Sequence, residues 1–309
     1  MPNPKRKPSR DIAQEITDKL IARLEAGGPL PWRRPWKSSV MAMPLRHTGD
    51  AYKGVNHFLL SIEAYASGYT SPYWMTFRQA RELDGCVRKG ERSSMVVYYG
   101  TAKKKGGEGD QAAQGEADDD GHYRFLKGYH VFNADQVDGL PEQFHPVHED
   151  IDTGARADAV LDAFFARMPF SIRTGFDHAA YREMPDEIVM PDVSRFETAG
   201  EFYATLSHET IHGSGPKNRL ERDCFARYHI DEEARAAEEL IAEIGAMMLT
   251  AHLGIQGEHI DNHAAYIQSW LRALKNDRRH IFKAAAEAQK ACDWVLAKGE
   301  GAADTARAA

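Results

Sequence analysis

The sequence predicts two α+β domains: a small N-terminal one mixing helices with strands, and a mostly helical C-terminal one. Three observations carry this. A chain of 309 residues suits about two domains, at roughly 100–200 residues each. β-Branched and aromatic runs concentrate between Ser94 and Asn133, where strands are expected. Beyond residue 150, apolar residues recur at helical spacing over three long segments.

In chain order, Asp11–Gly28 reads as an amphipathic helix, with Ile12, Ile16, Leu20 and Leu24 on one face and Gly27-Gly28 as its stop. The following Pro/Trp-rich loop, Pro29–Lys37, is excluded from regular structure by its prolines. Helices are expected over Asn56–Ser67 and Thr76–Asp84, and strands over Ser94–Tyr99 and Lys127–Asn133. The Gly-rich, acidic stretch 101–122 between those strands reads as a disordered hairpin insertion. Pro141–Asp152 reads as a linker, giving domains at 1–145 and 150–298. Thr153–Met168 reads as a helix burying Val160, Leu161, Phe164 and Phe165. Short strands at Ser171–Arg173 and Glu187–Met190 precede helices near 198–212, 231–253 and 261–297.

Composition narrows the function classes. With 42% hydrophobic residues the chain can build a core without disulfides. Cys86, Cys224 and Cys292 are scattered and odd in number, which argues against a disulfide framework and fits a reducing, cytoplasmic setting. No run approaches the ~18 apolar residues of a membrane helix. The basic segment Met1–Arg10 is followed by no signal-peptide core, so a secreted protease is disfavoured. Charge is uneven: residues 1–100 carry 16 Lys and Arg against 9 Asp and Glu, the remainder 23 against 37. A basic half joined to an acidic half suggests a polyanion-binding module attached to something else.

The sharpest chemical signal is His208-Glu209-Thr210-Ile211-His212, an H-E-x-x-H. Thr198 and Glu201 offer a capping box for its helix, and Gly213 and Pro216 end it. Residues four apart share a helical face, so both imidazoles can reach one metal ion. Glu209 stands beside them as a general base for the water such an ion activates. A third ligand is expected from Glu239-Leu-Ile-Ala-Glu243, where one acid can bind the metal and the other accept a ring N–H. Zinc is the expected ion, with manganese or another divalent metal as alternatives. His259 and His263 stand four apart with Asp261 between them but with no obvious general base or third ligand, and read as surface or packing residues; His145 and His148 read as solvated.

Basic and aromatic residues interleave in the N-terminal half: Trp32, Arg33, Arg34, Trp36 and Lys37, then Tyr52-Lys53, then Trp74 to Arg78, then Arg88 and Lys89. Unstacked bases lie on aromatic faces while Lys and Arg follow phosphates, which points to single-stranded DNA. Trp74 and Phe77 are expected in the domain core, leaving Trp32 and Trp36 as the better stacking residues.

The ordered blocks PWRRPW, AYKGVNHFLL, YWMTFRQARELDGCVRKGE and GYHVFNADQVDGLP resemble the N-terminal domain of ArdC-type plasmid antirestriction proteins, also found in TraC-type conjugative primases. EFYATLSHETIHGSGPKNRL, AAEELIAEIGAMML and HAAYIQSWLRALKNDRRHIF continue the resemblance. It implies an N-terminal single-stranded-DNA-binding domain and a C-terminal zincin-like metallopeptidase domain, in proteins that shield incoming plasmid DNA from host restriction during conjugation. By the same resemblance Glu239 is the third metal ligand and Glu243 the partner of a ligating histidine. The alternative is an active zinc endopeptidase acting on a host or conjugation protein. Gly213-Ser214 departs from the aromatic expected after the second histidine.

Overall fold

A computed structural model describes residues 11–25, 43–103, 122–146, 158–255 and 264–300. Trp32 to Lys37, His148, His259, His263 and most of the 101–122 insertion lie outside them.

The N-terminal half is built on α1 (Ile12–Glu25), β1 (Leu45–Arg46), α2 (Val55–Ser67), β2 (Tyr73–Met75), α3 (Phe77–Glu82), β3 (Cys86–Val87), β4 (Ser94–Lys103), β5 (His122–Asn133) and β6 (Val137–Asp138). The sheet order is β1-β2-β5-β4, with β1 and β2 parallel and the other pairs antiparallel; β3 and β6 form a separate ribbon. β4 and β5 pair from Ser94↔Val131 to Lys103↔His122, so both strands run further into the acidic insertion than the expected Tyr99 and Lys127. β4 is an edge strand, and α2 covers that edge. The Asn56 carboxamide accepts from Val97 N and donates to Val97 O, both at 2.7 Å, standing in for a missing neighbour strand. Trp74 is buried as expected, but Phe77 is 54% exposed because it opens α3 on the outer side and meets Phe132 only edge-on.

The C-terminal half contains α4 (Ala159–Phe165), β7 (Ser171–Arg173), β8 (Ala180–Arg182), β9 (Glu187–Val189), α5 (Ala199–Gly213), α6 (Asp223–Ala226), α7 (Glu232–Leu253), α8 (Ala264–Asn276) and α9 (His280–Gly299). Three differences from the expectation have local causes. α4 starts late because the Asp158 carboxylate caps the N–H groups of Val160 and Leu161, and this leaves Val160 exposed rather than buried. The helix expected over 261–297 is two helices, since the Asp277 carboxylate accepts from Arg279 N and turns the chain between α8 and α9. β8, too short to announce itself, joins a small sheet ordered β7-β9-β8.

One apolar cluster runs through both halves. Ile16, Leu20 and Leu24 of α1, with Phe58 and Ile62 of α2, join Trp270, Ile281, Ala285 and Val295 of α8 and α9. Polar ties reinforce the seam: Gly54 N donates to Gln289 Oε1 at 2.8 Å, and Thr17 Oγ1 to Arg278 O at 2.8 Å. No helix among the described residues is long and apolar enough to cross a membrane.

α7 lies between α5 and α9. At its contact with α5, a Cβ on Gly245 would stand 3.0 Å from the Ile211 side chain, so glycine allows the two helices to close up. Gly245→Val is expected to destabilise the fold by about 1–3 kcal/mol through overpacking, read as a lowered denaturation midpoint at unchanged slope.

Candidate metal centre

α5 begins where the sequence places it: Thr198 Oγ1 accepts from Glu201 N, and Glu201 Oε2 accepts from Thr198 N. Two turns on, His208, Glu209 and His212 point into the protein and are buried. α7 presents Glu238, Glu239 and Glu243 from the opposite side, equally buried.

His208 Nε2 and His212 Nε2 are 3.1 Å apart. Glu239 closes a triangle, with Oε2 3.5 Å from His208 Nε2 and Oε1 3.8 Å from His212 Nε2. Among the described residues this is the one cluster of three such side chains able to hold a metal ion. Ligand bonds of ~2.0–2.1 Å to a tetrahedral ion put ligand atoms about 3.4 Å apart, and the three separations bracket that value. The donors also match in kind, two imidazole nitrogens and one carboxylate oxygen.

The remaining acids face the backs of the rings. Glu243 Oε1 lies 3.3 Å from His208 Nδ1, and Glu238 Oε1 lies 3.2 Å from His212 Nδ1. Each imidazole therefore has a carboxylate behind it, the arrangement that fixes ring orientation in histidine–metal sites. Glu238 is held in turn by Arg222 Nε at 2.9 Å and by Cys224 Sγ at 3.0 Å. The same guanidinium donates to Ile211 O and Ser214 Oγ, tying the end of α5 to α7. Gly213 is required here, because a Cβ would stand 2.7 Å from the Phe170 ring. The space that an aromatic residue 213 would fill is taken by Phe170.

Glu209 turns to the small sheet instead, where its Oε2 accepts from Tyr181 N at 2.7 Å. β8 is an edge strand, so this N–H faces away from β9. Tyr228, in the turn before α7, donates its hydroxyl to Glu239 Oε1. Arg222, Glu238, Tyr228 and the Tyr181 amide escaped the sequence reading. Only Glu238 left a trace, as an acid beside Glu239 that would otherwise pass for a solvated face.

Burial opposes charge on both rings, but the acids prevail. Hydrogen bonding to Glu239 and Glu243 raises His208 well above the usual histidine value, and Glu238 with Glu239 raises His212 to about 9. Burial likewise works against the carboxylates, yet His212 and Arg222 bring Glu238 down to about 2, and the two imidazoles hold Glu239 far below the carboxylate range.

The N-terminal candidates are dispersed. Lys53 and Lys89 are exposed. Arg78 is exposed and pairs with Glu82 at 2.8 Å. Arg88 is engaged by Glu91, Asp138 and the Asp135 carbonyl. A different group assembles on one face of the β4–β5 ribbon, where Tyr98 stands opposite Lys127, Phe125 lies across Gly100, and the Lys127 ammonium is 5.0 Å from the Tyr129 ring. Tyr98 is 55% and Tyr129 39% exposed.

The fold and the site define a protein with a zincin-like C-terminal half. Residues 159–287 match the family described as a zincin-like metallopeptidase, and residues 10–132 match the N-terminal domain of anti-restriction factor ArdC. The solved antirestriction protein ArdC from plasmid R388, in a metal-free form, is 48% identical with a TM-score of 0.77, over 94% of this chain and 98% of its own. Its Mn(II)-bound form gives 47% identity and a TM-score of 0.75, over 95% of this chain and all of its own. The uncharacterised protein y4eC of Sinorhizobium fredii is 38% identical over 93% of this chain and 92% of its own length. DNA primase TraC of Escherichia coli is 36% identical over 92% of this chain, which spans only 27% of that primase. The chain belongs to the ArdC antirestriction family.

A divalent cation on His208 and His212 would have to displace any proton on their Nε2 atoms, while the Nδ1 protons stay with Glu243 and Glu238. Its apparent affinity is therefore expected to rise with pH toward about 9, by up to about tenfold per unit for each proton released. The sign is opposite for the metal-free fold. The stabilisation from a raised His212 is complete below about 6.5 and lost as pH climbs through about 9. Calorimetric titration with a divalent ion between pH 6.5 and 9, in buffers of different ionisation enthalpy, reads both the slope and the proton release.

Proposed function

We propose that this chain is an antirestriction factor that binds single-stranded DNA through its N-terminal half and holds a divalent cation, zinc or manganese, on His208, His212 and Glu239. The observation that carries the metal reading is the buried triangle of donors, with a carboxylate behind each imidazole. The Mn(II)-bound structure of the R388 relative supports the choice of a divalent ion. When bound, such an ion supplies Lewis-acid polarisation of a carbonyl and lowers the pKa of water. Glu238 and Glu243 hold the rings in their ligating orientation. Arg222 neutralises Glu238 and locks α5 to α7. Glu209, oriented by the Tyr181 amide, would be the group to accept a proton from a water at such an ion, if the site acts on peptides.

The DNA reading rests on the family and on the exposed β4–β5 face. Tyr98, Phe125 and Tyr129 offer flat rings of the kind on which unstacked bases lie, and Lys127 stands among them as a phosphate partner. Lys53 and Lys89 are exposed elsewhere on the N-terminal half as further phosphate partners, and Trp32, Arg33, Arg34, Trp36 and Lys37 are proposed to add a further stacking segment. In this reading the chain coats entering single strands and shields plasmid DNA from restriction during conjugation.

One observation favours a second reading, an active endopeptidase. The general-base candidate Glu209 adjoins His208 in sequence and is held by the Tyr181 amide at 2.7 Å, the fixed placement that a proton-transferring group beside a bound ion needs.

Two variants separate these roles in a conjugation assay into a restricting host. Tyr98→Ala with Tyr129→Ala is expected to weaken oligonucleotide binding by tenfold or more and to reduce plasmid protection, since each base–aromatic stack is worth about 1–3 kcal/mol. Glu209→Gln is expected to leave both intact while removing any peptidase activity. Loss of protection with Glu209→Gln at unchanged DNA affinity would transfer the function to the protease. Affinity for an oligonucleotide that does not fall between low and moderate salt would remove the phosphate contacts.

A further inference from the structure

The turn joining α6 to α7 is more tightly organised than a connection of its length requires. Arg227 bridges Asp223 and Asp231 at 2.7 and 2.6 Å, and Asp231 caps α7 through the N–H groups of Glu233 and Ala234. Tyr228 N donates to Phe225 O at 3.1 Å. Arg235, one turn into α7, donates from Nε to Tyr228 O at 3.3 Å and places its guanidinium 5.9 Å from the Tyr228 ring. These ties aim one half-buried side chain. The Tyr228 ring meets His212 edge-on, 5.9 Å between centroids at 74°, and its hydroxyl donates to Glu239 Oε1.

The geometry points to Tyr228 as a positioning residue for Glu239: its hydroxyl occupies one carboxylate oxygen, so that Glu239 offers only the other to a cation between His208 and His212. The inference rests on the metal reading above. A carboxylate has two oxygens and can take a cation through one or through both. Binding through both would use the coordination position that a catalytic centre keeps open for substrate, whereas three single-atom ligands leave it free. Tyr228 is suited to enforcing the second arrangement. It is neutral, so it does not repel the cation, and as a phenol it donates while competing poorly as a ligand. Arg222 does comparable work for Glu238 with a full charge, which beside Glu239 would oppose a cation directly. A neutral donor on the ligating acid and a cationic one on the supporting acid are what a divalent site requires.

The test is Tyr228→Phe, which removes one oxygen atom and keeps the ring against His212 and Arg235. Affinity for manganese or zinc is measured by calorimetric titration of the full chain, alongside the visible spectrum of the cobalt(II) form and the melting temperature of the metal-free protein. The expected result is a dissociation constant raised about tenfold or more, the range that loss of a supporting hydrogen bond produces in other metal sites. An altered cobalt spectrum and an unchanged metal-free melting temperature are expected with it. Equal affinity and superimposable cobalt spectra in the two proteins would overturn the role of Tyr228 and leave the metal site standing. A wild-type chain that binds none of the three ions would remove the site itself, and this inference with it.

Discussion

Glu238, Glu239, Glu243 and two imidazoles share a space between α5 and α7 from which solvent is almost excluded, with Glu209 buried beside them against β8. Glu209, Glu238, Glu239 and Glu243 carry four negative charges when ionised, and Arg222 is the buried guanidinium that answers them. Such an excess is costly away from water unless positive charge is supplied. Without metal, hydrogen bonding to the surrounding acids raises the pKa of both His208 and His212, so that protonation of the rings offsets part of the excess. A divalent cation held between the two rings would supply two positive charges at one point. Most of the local architecture maintains this balance: the carboxylate behind each ring, the guanidinium behind Glu238, and the phenol on Glu239.

The balance depends on how closely two helices approach. Gly245 lets α7 settle on Ile211, and Arg222 ties the last turn of α5 to Glu238 across the gap. α7 also packs on α9, and Trp270 of α8 donates its indole N–H to Ala236 O on α7, at 2.7 Å. α1 and α2 pack on α8 and α9, so the N-terminal half supports the helices that frame the metal centre. The proposed DNA-binding ribbon and the proposed metal centre thus belong to one continuous core. Tyr99 of β4 meets Phe282 of α9 edge-on, 6.1 Å between centroids.

What could be read from sequence was what obeys a local period. His208 and His212 share a face because they are four apart, and Glu239 and Glu243 do so for the same reason, so their meeting needed only the two helices to face each other. The α1 face, the Thr198 capping box and the longest strands were legible on the same grounds. The remainder depends on contacts without a period. Arg222 and Tyr228 stand in a connection whose residues are set by tertiary partners, and β8 has three residues, too few for alternation to appear. The division of the last helix at Asp277 was hidden because the apolar spacing continues across it and the interruption is made by side-chain hydrogen bonds, from Arg279 N and Lys283 Nζ to Asp277 and from Thr17 to Arg278 O. Phe77 and Val160 were assigned inward on hydrophobicity alone, yet each sits at the first turns of a short helix with its inner face already filled.

The central claim is that buried acidic excess and two imidazoles create one cation position. Crystals grown with a divalent metal, with data collected on both sides of its absorption edge, test this most directly. The account predicts one strong anomalous peak per chain, within bonding distance of His208 Nε2, His212 Nε2 and one Glu239 oxygen, with the Tyr228 hydroxyl on the other. Crystals that bind the metal elsewhere, or show no peak between the two imidazoles, would contradict it.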